Sequence, residues 1–225
     1  MSTATAARTV KAVWLGRIAY ADALELQREA QQRVAQGEEE SLLLLEHEPV
    51  FTLGRNASAS DVLLSPQRCR DLGIEVHESN RGGTVTYHGP GQLVGYPIVN
   101  LSPDRRDVKR YVTDLEEVLI RALADFGVCA GRSPLKERMT SLWIGNDKIA
   151  AIGVHLARWI TTHGFAVNVT DETLDPFRGI VPCGITDGGV TSIERVSGRR
   201  VAPVDLVPSV LRHFAGVFGR EIIET

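Results

Sequence analysis

Cysteine and methionine are scarce in this sequence of 225 residues, which contains three cysteines and two methionines. The cysteines, Cys69, Cys129 and Cys183, are odd in number, lie far apart and form no C-x-x-C pair. The sequence therefore predicts neither a disulfide framework nor a zinc site. The six histidines are scattered without metal-ligand spacing, so we expect no bound metal. Free thiols are typical of a reducing cytoplasm, where we expect the protein to reside.

Long apolar runs and a basic excess are also missing. No stretch approaches the roughly 18 apolar residues that a membrane-spanning helix needs, and the first residues contain no apolar core of signal-peptide length. The net charge of −3 argues against nucleic-acid binding through a basic surface. Hydrophobic residues make up 43% of the chain, enough for a sizeable core. We expect one domain over residues 1–225 that is soluble, unsecreted and monomeric and binds neither nucleic acid nor membrane.

Hydrophobic periodicity predicts a mixture of helices and strands. Residues 47–54 are predicted to be a loop that follows a buried strand, because Pro49 and Gly54 interrupt them. The absence of a regular βαβ alternation predicts an α+β fold, with helices packed against a mixed, largely antiparallel sheet. Helices are predicted over 20–36, 66–72, 107–126 and 203–218, where Pro208 is tolerable only near the first turn. Strands are predicted over 13–18, 41–45, 74–77, 142–144, 148–154 and 165–169.

The densest group of glycines and polar side chains lies in residues 81–92. Paired glycines allow backbone N–H groups to approach a ligand closely, and Arg81 is suited to an anionic or carbonyl group. Thr84, Thr86 and His88 alternate, so they share one strand face. The spacing matches neither a P-loop nor a dinucleotide-binding loop. A glycine-bent strand with a structural histidine is the simpler alternative for this segment.

Cys183 is the candidate nucleophile of the sequence. It lies between Pro182 and Gly184, which favours an accessible thiol that is not packed in the core. Cys69 and Cys129 are predicted to be small core residues. A thiol with a pKa of ~8.5 is only about 3% thiolate at pH 7. Cys183 therefore needs a cationic or basic neighbour.

Lys148 is the strongest candidate for that neighbour. It opens the second strand of a predicted hairpin and is followed by apolar residues, which leave its ammonium group poorly solvated. A lysine in such a place serves as cation and proton shuttle in acyl transfer. An exposed hairpin lysine is the simpler alternative, and His88, His163 and the arginines are further candidates.

Four blocks of the sequence, in the same order, resemble the octanoyltransferases of lipoate biosynthesis, also called lipoate-protein ligase B or lipoyl(octanoyl) transferases. The first block matches the signature R-G-G-x-x-T-aromatic-H-x-x-G-Q-x-aliphatic-x-Tyr throughout. The blocks span about half the chain, and no functional position departs from the family pattern. They are residues 81–96, 148–153, 163–168 and 182–184.

The resemblance implies the fold of biotin and lipoate protein ligase catalytic domains and an acyltransferase without a cofactor. Its donor would be octanoyl-acyl carrier protein, and its acceptors would be lysines of lipoyl domains in 2-oxoacid dehydrogenase subunits and of the glycine-cleavage H protein. Carried over by position, Cys183 forms the acyl thioester, and Lys148 lowers the pKa of Cys183 and shuttles protons. The residues implied to line the acyl pocket are Arg81, Gly82, Gly83, Thr84, Val85, Thr86, Tyr87, His88, Ala151, Ile152, Gly153, Gly164, Phe165 and Ala166.

The main alternative is an ATP-dependent lipoate or biotin protein ligase, which activates a carboxylate as an adenylate and needs no nucleophilic cysteine. A carrier-protein binding module and a cysteine hydrolase are less consistent with the residues, because Cys183 and Lys148 are both present and no Cys-His-Asn pattern appears. Acyl carrier proteins are acidic, so we expect a basic cluster to dock the donor. The two candidate clusters are Arg105, Arg106, Lys109 and Arg110, and Arg132, Lys136 and Arg138.

Overall fold

The computed structural model describes residues 8–132, 140–181 and 189–225. The strands in these ranges are β1 (Arg8–Ile18), β2 (Glu40–His47), β3 (Val50–Leu53), β4 (Glu75–Glu78), β5 (Val85–His88), β6 (Gln92–Ile98), β7 (Gly131–Arg132), β8 (Ser141–Ile144), β9 (Asp147–Ala157), β10 (Ile160–Asn168) and β11 (Arg220–Glu224). The helices are α1 (Tyr20–Ala35), α2 (Pro66–Asp71), α3 (Val108–Ala124), α4 (Ile193–Ser197) and α5 (Pro203–Phe218). Among the described helices, none combines the length and apolar character that crossing a membrane requires.

The strands of the described residues form one large and one small sheet. The large sheet has the order β11-β1-β2-β6-β10-β9-β8-β7, and the small one has the order β4-β3-β5. In the large sheet, β1 runs parallel to β2 and β11, whereas every pair from β2 to β7 is antiparallel. The predicted α+β fold with a mixed, largely antiparallel sheet is confirmed.

Helices cover both faces of the large sheet. In β2, Leu42 and Leu44 pack into one core with α3 and α5, while Leu43 and Leu45 pack into a second core with α1. Successive side chains of a strand point to opposite faces, so both faces of β2 are buried. This is why residues 41–45 appear in the sequence as a continuous apolar run.

The prediction of a loop over residues 47–54 is wrong, because these residues include β3. Strand β3 pairs in parallel with β4 and antiparallel with β5, and Phe51 within it is fully buried. The strand was missed because Pro49 and Gly54, which flank it, are residues typical of a connection. The pairing depends on partners that lie far along the chain.

Three further details differ from the sequence-based expectations. Cys69 is buried as predicted, but Cys129 is exposed, because the neighbouring Val128 takes the core position.

Pro208 is the sixth residue of α5, beyond its first turn. Proline cannot donate a hydrogen bond to the Val204 carbonyl four residues earlier, and both Pro208 and Val204 lie on the exposed side of the helix, where water replaces that donor. Among the described residues, β1 extends back from the predicted Val13 to Arg8, because residues 8–12 pair with β11.

Candidate active site

A cavity of about 100 Å³ lies between the glycine-rich loop that precedes β5 and the centre of the β9–β10 hairpin. Ala151 lies opposite Ala166, and Gly153 lies opposite Gly164, so small residues form the hairpin wall. The predicted pocket residues that line this cavity are Arg81, Gly82, Gly83, Thr84, Val85, Thr86, His88, Ala151, Ile152, Gly153, Gly164, Phe165 and Ala166.

Two predicted site residues are not placed at this cavity. The ring of Tyr87 packs against Phe51 and Phe177, with centroid distances of 5.8 and 5.7 Å. Neighbouring residues of a strand point to opposite faces, so Tyr87 faces away from the cavity that His88 lines. Cys183 lies outside the described residues.

Six further residues line the cavity beyond those predicted for the acyl pocket. They are Tyr20, Tyr96, Thr140, Ser141, Lys148 and His163. Of these, Lys148 is the predicted catalytic partner, and Tyr96 is the last position of the signature that begins at Arg81. Tyr20 gives no signal in the sequence, because its position in α1 fits an ordinary buried helix residue.

Close packing explains why glycine occupies two positions of the hairpin. A Cβ atom on Gly164 would lie 2.2 Å from the carbonyl oxygen of Gly95, which leaves no room for a side chain. A Cβ atom on Gly153 would lie 3.0 Å from the carbonyl oxygen of Gly82. The loop is held at this distance by the Gly82 N–H, which donates to the Val154 carbonyl at 3.0 Å. Gly153 thus lets the loop approach the hairpin closely, and Gly164 does the same for β6.

Arg81 places a buried positive charge in the cavity wall. Its guanidinium donates to the carbonyl and hydroxyl oxygens of Thr52 at 2.7 and 2.8 Å and to the Gly82 carbonyl at 3.0 Å. These oxygens are fixed by the fold, so the charge is held in one place. Burial, and then the charge of Arg81, lowers the pKa of His163 to about 3.

Two more imidazoles next to the cavity are buried and neutral. Burial lowers the pKa of His47 to about 4, and burial followed by the proximity of His47 holds the pKa of His88 well below its usual value. His47 Nδ1 lies 3.2 Å from the Ile18 carbonyl, which only accepts, so this nitrogen carries the proton. His47 Nε2 therefore accepts from the Tyr96 hydroxyl at 2.7 Å.

Lys148 lies where the cavity meets the β8–β9 hairpin. It is the second residue of β9, and its ammonium lies 5.7 Å from the centre of the Trp143 ring. Both backbone groups of Lys148 are bonded to the segment 189–191. The Lys148 N–H donates to the Gly189 carbonyl at 3.0 Å, and the Lys148 carbonyl accepts from the Thr191 N–H at 2.9 Å. In the sequence, this segment directly follows residues 182–188, which include Cys183.

Comparison with known proteins identifies the family. The model of the lipoyl protein ligase A/B catalytic domain matches residues 19–215. An octanoyltransferase of Myxococcus xanthus is 47% identical over 96% of this chain and 61% of its own length. One of Caldicellulosiruptor bescii is 46% identical over 95% of this chain and 93% of its own. The chain belongs to the octanoyltransferase family.

As an octanoyltransferase, the chain is an acyltransferase, and its fold is shared with ligases. A lipoate-protein ligase A solved with ATP superposes with a TM-score of 0.78 at 17% identity, over 96% of this chain and 88% of the other. A biotin protein ligase from Aquifex aeolicus gives a TM-score of 0.56 at 13% identity, over 93% and 70% of the two chains. At these identities the likeness concerns the fold alone.

The two basic clusters of this acyltransferase lie in different places. Helix α3, which follows Arg105, packs on the face of the large sheet opposite to α1, and Arg105 is paired with Asp114 and bonded to the Val217 carbonyl. Arg132 lies in β7 at the sheet edge, next to β8, whose Ser141 lines the cavity. Lys136 and Arg138 lie outside the described residues. The side chain of Arg132 pairs with Glu116 and Glu117 of α3, each at 3.0 Å.

Proposed function

We propose that the chain is a cytoplasmic, single-domain enzyme that transfers an octanoyl group from octanoyl-acyl carrier protein to a lysine of a lipoyl domain or of a glycine-cleavage H protein. Membership of the octanoyltransferase family carries this proposal, together with a cavity that has small residues along one wall and Lys148 at its edge. The predicted pocket residues other than Tyr87 would surround the acyl chain.

In the first half-reaction, the Cys183 thiolate attacks the thioester carbonyl of the donor. The bond between the carbonyl carbon and the carrier sulfur breaks, and the Lys148 ammonium gives a proton to the leaving thiolate. The enzyme is left with an octanoyl thioester on Cys183 and a neutral Lys148. This step exchanges one thioester for another, so it needs no ATP.

In the second half-reaction, the amine of the acceptor lysine attacks the Cys183 thioester. The neutral Lys148 takes the proton that the amine loses, and the Cys183 thiolate leaves as the amide forms. Thiolate and ammonium are thereby restored together. Because the donor product leaves before the acceptor reacts, the kinetics should be ping-pong.

Intact mass spectrometry tests this scheme directly. Wild-type protein incubated with octanoyl-acyl carrier protein, without ATP or acceptor, should gain one octanoyl group that hydroxylamine removes, and Cys183→Ser should gain no hydroxylamine-sensitive group. The absence of an adduct on the wild type, with transfer appearing only when free octanoate and ATP are supplied, would instead favour the ATP-dependent ligase.

Ala151→Leu is expected to shift the preference of the enzyme towards shorter acyl chains. Ala151 lines a cavity of only about 100 Å³, so three added carbons take space that the end of an octanoyl chain would use. The ratio of kcat/KM for butyryl to octanoyl carrier protein should rise by about tenfold or more, in line with the 10–200-fold effect of small changes in an apolar pocket. Ala157→Leu adds the same atoms to an exposed position of the same strand and is the control. An equal ratio in both variants would exclude Ala151 from the acyl pocket.

A further inference from the structure

A chain of buried side-chain hydrogen bonds connects His88 in the cavity wall with the segment that holds Lys148. His88 Nδ1 lies 2.7 Å from Gln92 Oε1, and Gln92 Nε2 donates to Asn168 Oδ1 at 2.9 Å. Asn168 Nδ2 donates to the Thr191 carbonyl at 3.0 Å, and the Thr191 N–H in turn donates to the Lys148 carbonyl at 2.9 Å. His88, Gln92, Asn168 and Thr191 are all more than nine-tenths buried.

The direction of every bond in this series follows from the Thr191 carbonyl. The Thr191 carbonyl only accepts, so Asn168 must present its NH₂ group there and its oxygen to Gln92. Gln92 must then present its NH₂ group to Asn168 and to the Tyr87 carbonyl at 3.3 Å, which leaves its oxygen facing His88. The neutral imidazole therefore carries its proton on Nδ1, and Nε2 is a hydrogen-bond acceptor.

The same two amides also line a small cavity together with Lys148. Thr86, Gln92, Lys148 and Asn168 are among the residues around a second cavity of about 10 Å³, which is about the space that one water molecule needs. Lys148 lines this small cavity and the larger one. The side-chain oxygens of Gln92 and Asn168 each accept one of these hydrogen bonds and each have a second lone pair. The two amides are thus linked to the Lys148 backbone through Thr191, and they share a cavity with Lys148.

We propose that Asn168 is a positioning residue that fixes the Lys148 backbone through Thr191 and, through Gln92, the tautomer of His88. The proposal deepens the proposed function, because it concerns the placement of the group that would exchange protons with Cys183. Asn168 itself touches no reacting atom. It sets the positions of Lys148 and of the His88 acceptor relative to each other across the cavity.

Asn168→Leu removes both hydrogen bonds and keeps a side chain of similar size, and Asn168→Ala is the second variant in case the leucine disturbs folding. Both should lower the rate of octanoyl transfer by about 100-fold, the scale expected when a reacting group moves by about 1 Å. ¹⁵N NMR of histidine-labelled protein should show only Nδ1–H for His88 in the wild type. The variants should show both tautomers, because only the longer 3.3 Å bond to the Tyr87 carbonyl is then left to orient the Gln92 amide. Ser209→Ala, which breaks a partly buried bond from α5 to Asp125 at the end of α3, controls for lost stability alone.

Two results would overturn the role of Asn168. One is an unchanged His88 tautomer in both folded Asn168 variants, and the other is a loss of rate no greater than that of Ser209→Ala. The NMR experiment needs neither donor nor acceptor. If the wild type forms no acyl adduct, the proposed function fails, whereas the tautomer result still decides whether the amide pair orients His88.

Discussion

Lys148→Ala is expected to slow octanoyl transfer by about 10²–10⁴-fold, the usual contribution of a positioned general acid and base. In the proposed scheme, one side chain protonates the leaving carrier thiol and later takes the proton of the attacking amine. Without the Lys148 side chain, water must serve as the proton donor and the proton acceptor in these two steps. The rate is measured with octanoyl-acyl carrier protein and a lipoyl domain, and the pH dependence of Cys183 alkylation by iodoacetamide is measured in parallel.

Lys148→Arg separates the two roles of the lysine. A guanidinium keeps the positive charge but does not release a proton near neutral pH. The alkylation profile of Cys183 should therefore remain close to that of the wild type, while transfer stays slow. Lys11→Ala removes an exposed lysine from β1 and is the matched control. If Lys148→Ala transferred octanoyl at the rate of Lys11→Ala, Lys148 would have no part in proton transfer.

Elements with many local signals could be predicted from the sequence. Helix α5 covers the predicted range, and the hairpin of β8 and β9 forms around the turn residues 145–147. In contrast, β3 and β11 depend on partners far along the chain, and their short patterns do not reveal those partners. Local periodicity thus predicted the four longest helices, one hairpin and several apolar strands, but not β3 or β11.

The candidate site was predictable to the extent that its residues fall in compact motifs. The glycine-rich loop and two segments of the β9–β10 hairpin are separate in the sequence, and antiparallel pairing brings them to one cavity. Tyr20 was missed because a tyrosine on the buried face of a helix has no feature that links it to a loop 60 residues away. The bonds from Gln92 to Asn168 and onward to Thr191 are equally invisible, because a hydrogen-bond direction depends on three-dimensional contact.

The free energy of unfolding is expected to fall steeply below about pH 6.5, because His47, His88 and His163 are buried and neutral in the folded protein. The pKa is lowered to about 4 for His47 and about 3 for His163, and it is held well below its usual value for His88. In the unfolded chain, all three take up protons near pH 6.5. The unfolded state therefore binds more protons, and stability rises with pH in this window.

Below pH 6.5, where the histidines of the unfolded chain are protonated, each buried histidine lowers the free energy of unfolding by about 1.4 kcal/mol for every unit by which the pH falls. At pH 5 this amounts to about 2 kcal/mol for each, or about 6 kcal/mol together, a large part of the 5–15 kcal/mol that stabilises a typical domain. Urea unfolding at fixed pH values between 5 and 8 measures the slope. His47→Gln should reduce that slope by about one third, whatever its effect at pH 8. A free energy of unfolding that stays level from pH 7 to pH 5 would mean that these imidazoles take up protons in the folded protein, and the tautomers assigned to His47 and His88 would then be wrong as well.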